Sequence, residues 1–151
     1  MDKSEFKVIA QNRRARHEYF ILDTFEAGLA LTGPEIKSIR AGKVSLQEGY
    51  ARVEGGQVWL EDVYIAPYQF GGWLNPPSKR RRKLLLHRTE IRELQSKTRE
   101  KGLTLVPLRL YLKNGRAKVE LGLARGKHVY DKRQAIAERE ATREIERALR
   151  A

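Results

Sequence analysis

Residues 104–124 constrain this chain more than any other stretch. Two runs, Thr104 to Leu112 and Ala117 to Ala124, flank Asn114-Gly115. Asn-Gly readily takes the positive φ angles of a tight two-residue turn, so the flanking runs should pair as an antiparallel hairpin. In the first run Val106, Leu108, Leu110 and Leu112 alternate with Arg109, Tyr111 and Lys113. On the return Ala117, Val119, Leu121 and Leu123 alternate with Lys118 and Glu120. Each strand therefore presents one apolar face and one wetter face.

The rest of the chain supplies partners for that apolar face. Tyr50 to Glu54 and Gln57 to Tyr64 form a second hairpin around Gly55-Gly56. Lys7 to Ala10 reads as an edge strand. Tyr19 to Phe25 reads as another, turned by Glu26-Ala27-Gly28 and continued by Leu29 to Leu31. Gly33-Pro34 opens a short helix and Gly42 closes it. Pro67 to Ser78 is a long surface loop, followed by the basic run Lys79 to Lys83 and a buried triplet, Leu84 to Leu86. His87-Arg88-Thr89-Glu90 opens a further helix, with Glu90 placed for a capping box, Ile91 and Leu94 facing inward, and Gly102 ending it. The expected fold is mainly β: a small closed or nearly closed antiparallel barrel of the oligonucleotide-binding type, with two to three short helices. Residues 1–125 form the barrel domain and residues 126–151 a basic C-terminal tail.

Charge points to the partner. The chain has 31 Lys and Arg against 19 Asp and Glu, a net charge of +12. That excess favours nucleic acid first and an anionic membrane surface second. Cysteine is absent, and His17, His87 and His128 have no metal-ligand spacing. Neither a phosphate-cradling glycine loop nor a nucleophile elbow is present. We therefore expect a non-enzymatic protein without metal or cofactor. No apolar run approaches the ~20 residues of a membrane span, and the expectation is a soluble, cytoplasmic monomer.

Two basic clusters stand out. Asn12, Arg13, Arg14, Arg16 and His17 end beside Tyr19, which groups guanidinium, imidazole and phenol. Arginine pairs with phosphate and stacks on bases, and His and Tyr add stacking faces. Arg80, Arg81, Arg82 and Lys83 form the second cluster, and in a loop all can reach phosphates. The tail is a third basic element. As a helix from Lys132 it lines up Arg139, Arg143, Arg147 and Arg150. Its apolar stripe, Ala137, Ala141, Ile145 and Leu149, is too thin to dock firmly. The tail is expected to be frayed or disordered alone and helical on binding, the alternative being a helix packed permanently on the barrel.

The motifs in order resemble the small protein B (SmpB) family, the bacterial partners of transfer-messenger RNA. They are Asn12-Arg-Arg-Ala-Arg-His-Glu-Tyr19, Glu26-Ala-Gly28 and Glu35 to Gly42. Arg82 to His87, Lys101 to Leu108 and Gly126 to Arg133 continue the series. The resemblance implies an oligonucleotide-binding-type barrel that binds the tRNA-like domain of that RNA and brings it to stalled ribosomes. Elongation factor Tu is an implied partner during delivery. Carried over, the RNA-binding positions are Asn12, Arg13, Arg14, Glu26 and Leu85, although Leu85 reads by itself as core. Glu26 is equally readable as an acceptor for base or sugar groups or as the partner of an arginine. Gly126, Lys127, Tyr130, Asp131, Lys132 and Arg133 match the decoding-centre element, where Tyr130 would stack on an rRNA base. The tail arginines would follow the empty mRNA channel. His128 stands where many members carry a second lysine. A ribosomal or other structural RNA-binding barrel is the competing reading.

Overall fold

Asn114 and Gly115 adopt φ angles of 53° and 77°, and the ribbon they join is the longest in the molecule. The computed structural model describes residues 5–100 and 102–127, together with Arg143, Ile145 and residues 147–149. Its strands are β1 (Phe6–Gln11), β2 (Tyr19–Leu29), β3 (Val44–Ser45), β4 (Tyr50–Glu54), β5 (Gln57–Glu61), β6 (Tyr64–Ile65), β7 (Arg82–Leu85), β8 (Leu103–Lys113) and β9 (Arg116–Gly126). Three α-helices interrupt them: α1 (Arg13–Glu18), α2 (Gly33–Arg40) and α3 (Arg88–Thr98).

The barrel is closed. The order β8-β4-β5-β7-β2-β9 returns to β8 through the β8–β9 hairpin, with every pairing antiparallel. Closure at β4–β8 is narrow, resting on Ala51 opposite Leu105. The free length of that β8 edge is taken by β1, and β3 with β6 forms a small separate ladder. Phe25, Ala27, Leu60, Leu84, Leu94, Leu105, Leu110 and Leu121 are among the side chains that fill the interior.

The apolar alternation expected in the hairpin is broken at one point. The β8–β9 register shifts between Pro107 and Arg109, so Leu108 is an extra residue in β8. A bulge reverses which face the following residues occupy. Leu110 and Leu112 face the barrel core. Val106 and Leu108 instead form a second cluster with Ala15 and Ala124, against which Tyr19 and Ile21 pack. Gly122 makes room for it, because a Cβ there would stand 2.9 Å from the Leu108 side chain. β2 carries a matching shift between Ile21 and Asp23. The two bulges give the sheet a second apolar surface on which α1 sits.

Two further expectations are corrected. The Leu84–Leu86 triplet is not uniformly buried: Leu84 is fully buried but Leu85 is 51% exposed, as strand alternation requires. Glu26-Ala27-Gly28 does not turn the chain: β2 runs through it from Tyr19 to Leu29, with Gly28 paired to Lys118 on one side and Leu85 on the other. Helix α1, which the basic cluster hides, holds only one buried residue, Ala15.

Candidate nucleic-acid interface

Helix α1 exists because Asn12 caps it. Asn12 Oδ1 accepts from the Ala15 N–H at 3.1 Å, and its Nδ2 donates to the carbonyls of Pro107 (3.0 Å) and Leu46 (3.3 Å). Asn12 is 4% exposed, so its side chain ties the helix to β8 and contacts nothing outside. The cap leaves Arg13, Arg14, Arg16 and His17 exposed on the far side of Ala15. Arg14 pairs with Glu18 one turn on, at 2.9 Å.

Below α1 lies the wet face of β8 and β9. Arg109 Nε donates to Glu120 Oε2 at 2.9 Å, and Arg16 donates to Glu120 Oε1 at 3.2 Å. One carboxylate thus holds two arginines from different elements side by side. The Arg109 guanidinium also lies 5.3 Å from the Phe6 ring centre and 5.1 Å from that of Tyr111. Those two rings contact each other at 4.7 Å. A cleft of about 360 Å³ opens here, lined by Arg13, Arg16, Arg109 and Glu120 with Asn12 at its root.

Glu26 stands on β2 opposite Glu120 of β9. The buried Tyr111 hydroxyl donates to Glu26 Oε2, and Lys113 Nζ lies 3.6 Å from Oε1. The Tyr111 bond holds the Glu26 carboxyl below the usual carboxylate range, assisted by Lys113 and Lys118. Burial, then the bond to Glu26, pushes the Tyr111 phenol well above its ordinary value. Glu26 is therefore an ionised carboxylate aimed by a tyrosine and a lysine, and it remains exposed on one side. Arg109, Tyr111, Lys113, Lys118 and Glu120 were not picked out from sequence as site residues. Their signal was the run of charged and phenolic groups on the wet face of the hairpin.

The second basic cluster behaves differently. Arg82 is fully buried, donating to Glu35 Oε2 at 2.7 Å, the Val63 carbonyl at 2.6 Å and the Ser78 carbonyl at 3.0 Å. The expectation that Arg82 meets phosphate is corrected, since strand alternation aims it inward beside Leu84. Arg80 donates to both oxygens of the same Glu35, at 2.6 and 3.1 Å. Burial would push the Glu35 carboxyl up, but the bonds from Arg80, Thr32 and Arg82 hold it below the ordinary range. Arg81 pairs with Glu54 and Glu61 and lies 4.4 Å over the Trp59 ring. Among the described residues, Lys83 alone of Arg80–Lys83 makes no ion pair. Leu85 packs beside Gly28, where a Cβ would stand 3.2 Å from the leucine Cβ.

Tyr19 is half-buried against the second cluster. Gly126 ends β9 opposite Tyr19, and Lys127 Nζ lies 5.1 Å over the Phe20 ring. Tyr130, Asp131, Lys132, Arg133, Arg139 and Arg150 lie outside the described residues. Arg143 and Arg147 are helical and exposed, as are Ile145 and Leu149 of the apolar stripe.

The chain is similar to known proteins along its whole length. The family model described as SmpB protein matches residues 9–151. An SsrA-binding protein of Thermobifida fusca is 65% identical over 144 residues, covering 95% of this chain and 90% of that one. An SsrA-binding protein of Streptococcus pneumoniae is 54% identical over 151 residues, covering 100% and 97%. A solved structure described as "tmRNA-SmpB: a journey to the center of the bacterial ribosome" contains a chain with a TM-score of 0.67. That chain is 57% identical, the match covering 78% of this chain and 83% of that one. On these matches the chain belongs to the SmpB family.

Proposed function

We propose that this protein binds the tRNA-like domain of transfer-messenger RNA and brings it to stalled ribosomes for tagging of the nascent chain. The observation that carries this reading is whole-length similarity to SsrA-binding proteins, joined to a cleft lined by three arginines from two elements. The face built by α1, β8, β9 and β2 holds the RNA. Arg13, Arg16 and Arg109 meet phosphates, with His17 available to stack on a base. Glu26, pre-aimed by Tyr111, accepts hydrogen bonds from base or sugar groups and so favours one RNA over others. Asn12 acts by holding α1 in place. Leu85 and Lys83 extend the face along β7, beside β2.

The remainder of the reading concerns the ribosome. The segment from Gly126 to Arg133 enters the decoding centre, and Arg139, Arg143, Arg147 and Arg150 follow the mRNA channel. Elongation factor Tu joins through the RNA, and the protein works as a cytoplasmic monomer without catalysing a step. The exposed Ile145 and Leu149 support a tail that is not docked on the barrel.

A competition assay at near-physiological salt tests the first half. Labelled tRNA-like domain should stay bound in the presence of excess bulk tRNA and rRNA fragments, and Glu26→Ala should narrow that preference. Competition that is equal for all RNAs would refute selective binding and favour a structural RNA-binding barrel. Salt must be fixed, because phosphate contacts alone bind any RNA and weaken steeply as salt rises.

A further inference from the structure

The loop between β6 and β7 displays the most exposed aromatic groups among the described residues. Trp73 is 91% exposed and Phe70 76%, with Leu74 beside them. Large exposed apolar groups gathered on one loop mark an interaction surface more often than scattered ones do.

The loop is held rigid. Asn75 Oδ1 accepts from the Tyr68 N–H at 3.0 Å, and Asn75 Nδ2 donates to the carbonyls of Tyr68 (2.9 Å) and Gly72 (3.2 Å). A Cβ at Gly71 would fall 2.5 Å from Asn75 Oδ1 and displace that amide from its bonds, and Gly72 turns at a φ of +52°. The Tyr68 ring meets the Phe70 ring edge-on at 5.5 Å. Rings already held in place lose little freedom when a partner binds.

Exposed cations stand near the root of the loop. Its root is fastened to α2 and the segment after it: Ser38 Oγ donates to the Ala66 carbonyl at 2.6 Å, and the Ala66 N–H donates to the Lys43 carbonyl at 3.0 Å. Lys37, Arg40 and Lys43 are exposed there and make no ion pair among the described residues. Exposed rings on a loop whose root is fastened among unpaired cations match the combination that holds single-stranded nucleic acid, with bases stacking and phosphates meeting the charges. A protein partner would also accept the rings but would not account for the three cations.

We propose that Trp73 and Phe70 form a stacking platform for unpaired RNA bases, with Lys37, Arg40 and Lys43 meeting the flanking phosphates. This site is separate from the α1 face. Its residues lie on the β6–β7 loop, on α2 and just after α2, and none of them belongs to α1, β2, β7, β8 or β9.

The test uses the full chain and a six-nucleotide single-stranded RNA carrying one 2-aminopurine, whose emission falls when the base stacks. The parent chain should quench the probe saturably. In F70A/W73A the quench should be lost and affinity should fall about tenfold, while W73F keeps most of both. K37Q/R40Q should lower the salt slope of binding by roughly 1.4, from two single-strand phosphate contacts. Binding of the tRNA-like domain should be unchanged in F70A/W73A, which separates this proposal from the α1 reading. An absent quench in the parent, or equal hexamer affinity in parent and F70A/W73A, would overturn it and leave the loop a protein-binding surface. An unchanged salt slope in K37Q/R40Q would remove the phosphate half of the proposal.

Discussion

Two basic runs of similar composition end in opposite roles. Arg13, Arg16 and His17 stand on a short helix raised off the sheet, and only Glu120 draws one of their guanidiniums to the surface below. Arg80 and Arg81 lead into β7 and Arg82 begins it, and Glu35 of α2, Glu54 of β4 and Glu61 of β5 give each arginine a carboxylate. The first run is available to a partner and the second largely holds the molecule together. A cation's position in sequence therefore says less about its role than the strand parity and the carboxylates around it.

The sharpest way to break this comparison is at Glu35. Glu35→Gln would leave Arg82 charged and fully buried with a weaker acceptor. Loss of one partner from a buried pair costs about 3–5 kcal/mol, so the melting temperature should fall by roughly 10 °C. The pH dependence has a defined sign. Glu35 has a depressed pKa in the folded protein, so its stabilisation is in place above the ordinary glutamate value of about 4.3 and is lost as pH falls through the folded value. Acid unfolding of E35Q should lack that component. Denaturant titrations at pH 3 and pH 7 check both points. A drop of under about 1 kcal/mol at neutral pH would show that Arg82 is held by the carbonyls of Val63 and Ser78 and not by the pair.

The opposite arm is R13Q/R16Q. Affinity for the tRNA-like domain should fall about tenfold or more, and the salt slope should shrink by roughly 1.8 if both meet duplex phosphates. Thermal stability should hardly move, because both side chains are exposed. A large loss of stability with little loss of affinity would place α1 with the structural run.

How much of this was legible in the sequence depended on what set each feature. The Asn114-Gly115 and Gly55-Gly56 turns were readable because their φ values follow from residue type alone. The barrel followed from strand alternation and the glycine turns. The Leu108 bulge was not readable, because an extra residue inside an apolar run leaves the pattern looking continuous. Helix α1 was hidden for a related reason: six residues with one buried alanine give no apolar period. Arg82 was misplaced because a run of five cations conceals which one alternation sends inward. Glu35 was seen only as part of a family motif, although it both closes the capping box of α2 and neutralises the run 45 to 47 residues on. Arg109 and Tyr111 were visible as a wet face, but their grouping with Glu26 and Arg16 depends on strand order.

Tyr111→Phe offers a finer cut on the α1 side. It removes the hydroxyl that aims Glu26 but keeps the ring against Phe6. Binding of the tRNA-like domain should weaken roughly three- to fivefold, a fraction of a charged hydrogen bond, while binding of bulk tRNA stays constant. Equal weakening for both RNAs would make the Tyr111–Glu26 bond a support for the sheet and not a means of selection.

The smallest expected effect lies at Arg81, and it tests the other half of the comparison. Arg81 has two carboxylates and a tryptophan ring around it, yet its side chain is 39% exposed and solvent screens those charges. Arg81→Gln should move the melting temperature by less than about 2 °C. Affinity for the tRNA-like domain should stay within about twofold of the parent, because the guanidinium already has protein partners. A marked loss of RNA binding would mean that RNA draws Arg81 away from Glu54 and Glu61. Arg81 would then be a cation held in reserve until the RNA arrives, and within the run only Arg80 and Arg82, both on Glu35, would belong to the structure alone.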